Sequence, residues 1–220
     1  MSDRLVFGVA ASPEELDAVF RLRYRVAVEY GWEGGDEARG IEREEADAKA
    51  LQFAVDGGGE LVATARLIVE PADVAEVLRE EGLEEVAAGT AVFGRLTVVR
   101  PWRHRTREIF VGLAAEMARA CLERGITRAI SFAAENSIRF CRMHGLPVQP
   151  VGAPRAVDGE LRSPVLVDLA VFGEFATHAA DDERRTLEAS LATPTRKAAP
   201  ACTARPNDEA GWTADADASS

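Results

Sequence analysis

The chain has 220 residues, a formal net charge of −11 and 47% hydrophobic residues, which suits one domain with a sizeable core. The acidic balance argues against non-specific nucleic-acid binding, because that binding needs Lys and Arg to neutralise phosphates. Three cysteines, Cys121, Cys141 and Cys202, are too few and too scattered for a disulfide framework or a metal site. No hydrophobic run reaches membrane-spanning length and the N-terminus lacks a signal-peptide pattern, so we expect a cytoplasmic protein with no bound metal or cofactor.

The first helix is predicted to follow a short strand over Leu5 to Val9. Ser12 can cap it, Pro13 suits its first position, and Glu15 completes a capping box. Arg21, Arg23 and Arg25 share the C-terminal half of this helix. For at least two of these arginines, favourable contact with the helix dipole and solvation are sufficient explanations.

A segment rich in glycine and charge follows, from Gly31 to Glu45, and Trp32 is its only large ring. We interpret it as a mobile loop that closes over a ligand, anchored by that aromatic side chain. The alternative is a plain surface loop with Trp32 packed against the body of the protein.

A β-hairpin is predicted next, with strands over Leu51 to Asp56 and Leu61 to Val69. Its turn, Asp-Gly-Gly-Gly, supplies residues that tolerate positive φ. Pro71 ends the second strand, and Asp73 can cap a short helix through Val74 and Leu78.

The stretch from Ala91 to Gly125 reads as a strand, a basic loop and a long amphipathic helix. The loop places four cationic or titrating side chains around Thr106; they are Arg103, His104, Arg105 and Arg107. A strand that delivers cations and unpaired N–H groups to a helix N-terminus is typical of a phosphate site. A solvated basic loop is an equally good interpretation of this segment alone.

The rest of the domain is predicted as a strand over Ala129 to Ala133, a helix over Asn136 to His144, and an antiparallel pair over Val148 to Val151 and Val165 to Val171. The whole order predicts an α+β fold, a mixed and mostly antiparallel sheet with helices on both faces. We place this domain at 1–174. Residues 175–220 are predicted to be an acidic, mostly disordered tail, because they lack a periodic apolar face.

Taken together, these elements resemble the GNAT acyltransferases, and within them the acyl-homoserine-lactone synthases and the N-acyl amino acid synthases. The resemblance covers roughly residues 5 to 172 and rests on an ordered set of phrases. These are Arg23 to Ala27 followed by Trp32, Glu44 to Asp47, Ala63 to Leu67, Gly94 to Val98, and Pro150 to Pro154 with Asp158 to Glu160 and Leu166 to Asp168.

The chain departs from that branch at several positions. Ala27 stands where the synthases have a large aromatic, Glu44 where they commonly have Asp, and Val92 where they have a glutamate of the catalytic site. The basic loop also lacks the glycines of an ordinary GNAT loop. Val92 argues against lactone formation from S-adenosylmethionine and leaves the general base unassigned, and the missing glycines argue against an ordinary acetyl-CoA enzyme.

The resemblance implies transfer of an acyl group from a thioester to an amine, with acyl-CoA or an acidic acyl carrier protein as the donor. It implies these roles: Glu44, Asp47 and Arg95 catalytic; Arg23, Trp32 and Arg66 in acceptor binding; Leu96, Val98, Arg103, Arg105, Thr106 and Arg107 in binding the acyl thioester. Glu44 and Asp47 are candidates for the base that deprotonates the amine, or for partners of Arg23 and Arg66. Cys141 is a candidate acid, although a helical cysteine is more often part of the core.

Three alternatives remain open from the sequence. The first is an acyl-homoserine-lactone synthase, and the second an ordinary acetyl-CoA N-acetyltransferase. The third is a non-catalytic module that only binds acyl carriers, which Ala27 and Val92 favour.

Overall fold

The structure, a computed structural model, describes residues 4–32, 35–83, 85, 88–143, 148–157 and 160–171. The helices are α1 Pro13–Tyr30, α2 Pro71–Glu80, α3 Thr106–Leu122 and α4 Glu135–Met143, with 3₁₀ helices at Glu45–Ala48 and Arg100–Arg105. The strands are β1 Leu5–Val9, β2 Leu51–Gly57, β3 Leu61–Ile68, β4 Thr90–Val98, β5 Arg128–Ala134, β6 Val148–Pro150, β7 Arg155–Val157 and β8 Glu160–Asp168.

The eight strands form one sheet in the order β1-β2-β3-β4-β5-β8-β6, and β7 also pairs with β8. Among the strands of the described residues, only β4 and β5 are parallel, and they pair over Thr90 to Phe93 and Arg128 to Ser131. The sheet is therefore mixed and mostly antiparallel, and the predicted fold class is confirmed.

Buried side chains cover both faces of the sheet. On one face, Ile109 and Leu113 of α3 pack with Phe53 and Leu67. Phe7 of β1 also reaches α3, where a Cβ on Gly112 would lie 2.2 Å from its ring. On the opposite face, α2 packs on Ile68, Val92 and Ile130 through Val74 and Leu78, while α1 packs with Ile41 and Ala10 through Val19 and Phe20.

The predicted start of the first helix is confirmed in detail. The Ser12 hydroxyl accepts a hydrogen bond from the N–H of Glu15, and the Glu15 carboxylate accepts one from the N–H of Ser12. Gly31 ends α1 with a φ of 69°, in the left-handed region that favours glycine.

Two predicted details are wrong. Asp73 is not a cap, because α2 begins at Pro71; its carboxylate instead accepts a hydrogen bond from Lys49 at 3.0 Å. The closing pair contains a third strand, β7, and β8 begins at Glu160, because its N-terminal half pairs with both β5 and β7. His144, residues 158–159 and the tail predicted for 175–220 lie outside the described residues.

Candidate active site

A buried ion cluster lies between α1 and the sheet, with Asp47 at its centre. The Asp47 Oδ1 atom accepts hydrogen bonds from Arg23 Nη1 at 2.8 Å, Gln52 Nε2 at 3.0 Å and Arg66 Nη1 at 3.2 Å. Its Oδ2 atom accepts one from the N–H of Glu44 at 2.7 Å. The Asp47 side chain has no exposed surface, so its oxygens are committed to the protein.

Arg95 joins the same cluster from β4, and two glutamates complete it. Glu44 pairs with both Arg66 and Arg95, and Glu42 pairs with Arg23 and, at 3.4 Å, with Arg95. Three arginines thus meet three carboxylates. Glu44 is the most exposed of the three carboxylates, with 39% of its side chain accessible, against 9% for Glu42.

Sequence reasoning missed Glu42. Its backbone N–H donates to the carbonyl of Phe20 at 3.1 Å, which ties this segment to α1. The available signal was its position beside Ile41, an apolar residue that is buried at 6% exposure within an otherwise charged run.

The electrostatics of the cluster separate two of its arginines. Burial works to lower the pKa of the Arg23 guanidinium, but the hydrogen bonds to Glu42 and Asp47 outweigh it and hold the pKa above its usual value. Burial dominates at Arg66, and its pKa lies below the usual value. Arg23 is 3% exposed, so this predicted acceptor-binding residue is enclosed by its own partners.

β4 carries a bulge at the point where Arg95 enters the cluster. The register with β3 shifts between the pairs Arg66–Gly94 and Thr64–Thr97. Arg95 has a φ of 53°, and it is the one non-glycine residue with positive φ in the described part of the chain. Such strain persists only where the surroundings hold it, and here the ion pairs of Arg95 do so.

Beyond this bulge, β4 and β5 diverge. Their pairing ends at Phe93 and Ser131, although β4 continues to Val98 and β5 to Ala134. The N–H of Val99 donates to the carbonyl of Val62 on β3. Because the peptide groups of successive strand residues point to opposite sides, those of Val98 point toward β5. The result is a wedge between β4 and β5 that is lined by peptide groups, with Leu96 in the bulge itself.

The predicted basic loop after β4 is a 3₁₀ helix over Arg100–Arg105, and α3 begins at Thr106. Trp102 anchors it on β2, where a Cβ on Gly57 would lie 2.7 Å from the indole ring. Arg103 forms a two-pronged pair with Glu29 at 3.1 Å, and Arg105 pairs with Glu108. The charges of Arg103 and Arg105 are thus partly matched. The residues His104 and Arg107 are exposed.

The described contacts of the Trp32 ring are with Tyr30 and Arg162 and not with the ion cluster. Its ring stacks on Tyr30 with centroids 4.8 Å apart. Arg103, just after β4, lies over the Tyr30 ring, and Arg162, on β8, lies over the Trp32 ring. The four side chains therefore span from the end of β4 to the strand beyond β5.

Three further predicted positions are apolar in this structure. Val92 packs in the buried cluster under α2, and Ala27 is 6% exposed. Cys141 of α4 packs against the buried cluster under α3, and burial raises the pKa of its thiol. The Cys141 thiol is thus held in its protonated form, and its role as an acid stays a prediction.

Solved structures of several synthases are similar to this fold. The acyl-homoserine lactone synthase LasI aligns with a TM-score of 0.64 and 14% identity, over 76% of this chain and 91% of its own. The CoA-dependent synthase MesI aligns at 0.63 and 18%, over 80% and 94%. FeeM, an N-acyl amino acid synthase from uncultured soil microbes, aligns at 0.57 and 15%, over 77% and 92%.

The chain has the fold of these synthases. The resemblance seen in the sequence is confirmed at that level. Neither a family model nor a curated protein matches the sequence. Over the described residues, no helix is long and apolar enough to cross a membrane, and no group of His, Cys, Asp and Glu is arranged to hold a metal ion.

Proposed function

We propose that this protein is an N-acyltransferase that moves an acyl group from acyl-CoA or an acyl carrier protein to the amine of an amino-acid-like acceptor. The wedge between β4 and β5 carries the proposal, because β4 beyond Phe93 presents peptide groups that do not pair with β5 and that suit the amide-rich arm of an acyl thioester. One of them, the Val98 carbonyl, accepts a hydrogen bond from Arg103 Nε at 3.3 Å. The fold shared with LasI, MesI and FeeM supports the same reaction class.

In this proposal the thioester carbonyl lies at the bulge, and a backbone N–H near Leu96 or Val98 stabilises the oxyanion of the tetrahedral intermediate. The amine attacks the carbonyl carbon, the C–S bond breaks, and the thiolate leaves with little need for an acid, since its pKa is near that of cysteine.

The base in this proposal is Glu44. A base needs an oxygen that the acceptor can reach, and Asp47 has none to offer because four donors fill it. Glu44 is partly exposed and held in place by Arg66 and Arg95. Asp47 is a positioning residue, since it fixes the backbone N–H of Glu44 and the guanidinium groups of Arg23 and Arg66.

The basic surface after β4 provides the donor site in this proposal. Exposed Arg100 and Arg107 present positive charge on an otherwise acidic chain, which favours the phosphates of CoA or an acidic carrier protein. Steering of this kind weakens as salt rises.

The proposal is tested by incubating the full chain with three donors, each with a panel of amino acids. The donors are acetyl-CoA, long-chain acyl-CoA and long-chain acyl carrier protein. We expect a new amide by mass spectrometry and stoichiometric release of thiol. Absence of an amide from every combination contradicts it. A homoserine lactone formed only with S-adenosylmethionine would make the chain a lactone synthase, which the fold shared with LasI favours as the second candidate.

Arg105→Ala tests whether the segment after β4 binds the acyl donor. We expect weaker donor binding and slower turnover together, with Arg119→Ala on the exposed side of α3 as the matched control. A wild-type chain that binds acyl carrier protein but never turns over would indicate a non-catalytic binding module.

A further inference from the structure

A second arginine group lies on the strands that close the sheet. Arg155 of β7 and Arg162 of β8 are direct partners in the antiparallel register. Like charges directly opposite each other destabilise a strand pair. Two cations in this arrangement indicate a place where a bound anion would relieve the repulsion.

Both arginines line one cavity of about 190 Å³. Its remaining walls include one carboxylate, that of Glu81, and the apolar side chains of Leu83, Phe132, Val151 and Pro164. Gly152 lets the wall close tightly, because a Cβ there would lie 2.8 Å from the Pro164 ring. The volume exceeds the roughly 150 Å³ of an apolar cavity that holds a benzene ring. The cavity therefore accommodates a side chain of aromatic or branched aliphatic size.

The carboxylates near this pair hold it only loosely. Arg155 Nη1 lies 3.3 Å from Glu81, and Arg162 Nε lies 3.3 Å from Glu160. Pairs of charged groups at full strength have distances of about 2.7–2.9 Å. Glu160 is also 42% exposed at its side chain, so a ligand carboxylate can compete with it.

The cavity adjoins the wedge. Phe132 directly follows Ser131, the last β5 residue that pairs with β4. Trp32 lies over Arg162, with 5.7 Å from the guanidinium carbon to the ring centroid. A molecule with its carboxylate on the arginines can thus direct its other groups toward the end of the β4–β5 pairing.

We infer that Arg155 and Arg162 bind the carboxylate of the acceptor, and that the acceptor is an amino acid with an apolar side chain that fills this cavity. The identity of the ligand as an acceptor rests on the function proposed above. Arg155 and Arg162 thus take the role in carboxylate binding that the sequence predicted for Arg23, because Arg23 is enclosed by Glu42 and Asp47.

Calorimetric titration tests the site without any turnover. The full chain, with CoA present so that a donor-first order does not mask binding, is titrated with phenylalanine and leucine and with their amides. We expect the acids to bind and the amides, which lack the carboxylate, to bind at least tenfold more weakly.

Two variants locate the binding. Arg155→Gln and Arg162→Gln should each weaken phenylalanine binding by about 10- to 100-fold, the usual loss for a hydrogen bond between charged groups. Arg162→Lys keeps the charge and should recover part of the affinity. Arg119→Gln, another ion-paired arginine, is the matched control and should bind like the wild type. Thermal unfolding of each variant separates lost binding from lost folding.

The site and the proposed function fail separately. Three results would overturn the site, even if acyl transfer is found. They are equal binding of acids and amides, no binding of either, and unchanged binding in both arginine variants. Selective binding that both variants weaken supports the site, even if no acyl donor is ever used. Where transfer does occur, the same variants should raise KM for the amino acid and leave KM for the acyl donor unchanged.

Discussion

Two groups of arginines in this protein have opposite surroundings. In the ion cluster, Arg23, Arg66 and Arg95 meet Glu42, Glu44 and Asp47 in equal number, and Arg23 and Asp47 are nearly inaccessible. In the cavity pair, Arg155 and Arg162 face each other, and each touches one partly exposed carboxylate at 3.3 Å.

The difference separates arginines that hold the protein together from arginines that are available to a ligand. A guanidinium that is buried and ion-paired with protein carboxylates, as Arg23 is, lies out of reach of a substrate, and removal of one partner leaves an uncompensated charge. A pair of like charges beside a cavity is stabilised by an anion from outside. Residue type alone therefore does not identify the substrate-binding arginines; their partners do.

Removal of Asp47 should produce the largest change. Asp47→Ala leaves three arginines, of which Arg23 is fully buried, with two carboxylates, and we expect the free energy of unfolding to fall by about 3–5 kcal/mol. Urea unfolding measures it. Asp17→Ala removes an exposed partner of Arg21 and should cost no more than about 0.5 kcal/mol. Equal costs for both variants would mean that the cluster has no special structural role.

Glu44→Gln tests whether the cluster has one chemically active member. Glutamine keeps the size of the side chain but cannot accept the proton of the amine, so we expect kcat to fall at least about a hundredfold. Its partial exposure should keep the loss of stability well below that of Asp47→Ala. Steady-state kinetics with the neighbouring, exposed Glu45→Gln as control gives the answer. An unchanged kcat in the Glu44→Gln variant would show that Glu44 is not the base.

The sequence predicted the elements that local signals define, such as the cap at Ser12 and the Gly-rich hairpin turn, because each depends on a few neighbouring residues. It also indicated Glu44, Asp47 and Arg95. It did not place Glu42, whose role depends on a contact between residues 19 positions apart. β7 was missed because three residues give too little alternation, and the register of Arg155 with Arg162 was missed with it.

The buried thiol of Cys121, on the other face of the sheet, shows how burial disfavours the formation of a charge. Burial raises its pKa to about 11. The thiol ionises at lower pH in the unfolded chain, near 9, so stability is retained below pH 9 and lost as pH rises through 11. We expect a loss of about 1 kcal/mol by pH 10. Cys121→Ala should be less stable at pH 7 but should lose less between pH 7 and 10; an identical pH dependence in both proteins would contradict the assignment.

The smallest expected effect is the repulsion within the cavity pair itself, and a double-mutant cycle isolates it. Unfolding free energies of the wild type, Arg155→Gln, Arg162→Gln and the double variant give the coupling between the two side chains, free of their separate contacts with Glu81 and Glu160. We expect a repulsive coupling of about 0.2–1 kcal/mol that added salt reduces.

The same cycle on Arg23→Gln and Asp47→Asn should give an attractive coupling that salt barely changes, because that pair is buried. In saturating phenylalanine, the coupling free energy between Arg155 and Arg162 should change from repulsive to attractive, while that between Arg23 and Asp47 should not change sign. The reason is that both guanidinium groups then bind one carboxylate, and each strengthens the binding that the other contributes to. A coupling that stays repulsive with the ligand bound would mean that the two arginines do not share one carboxylate.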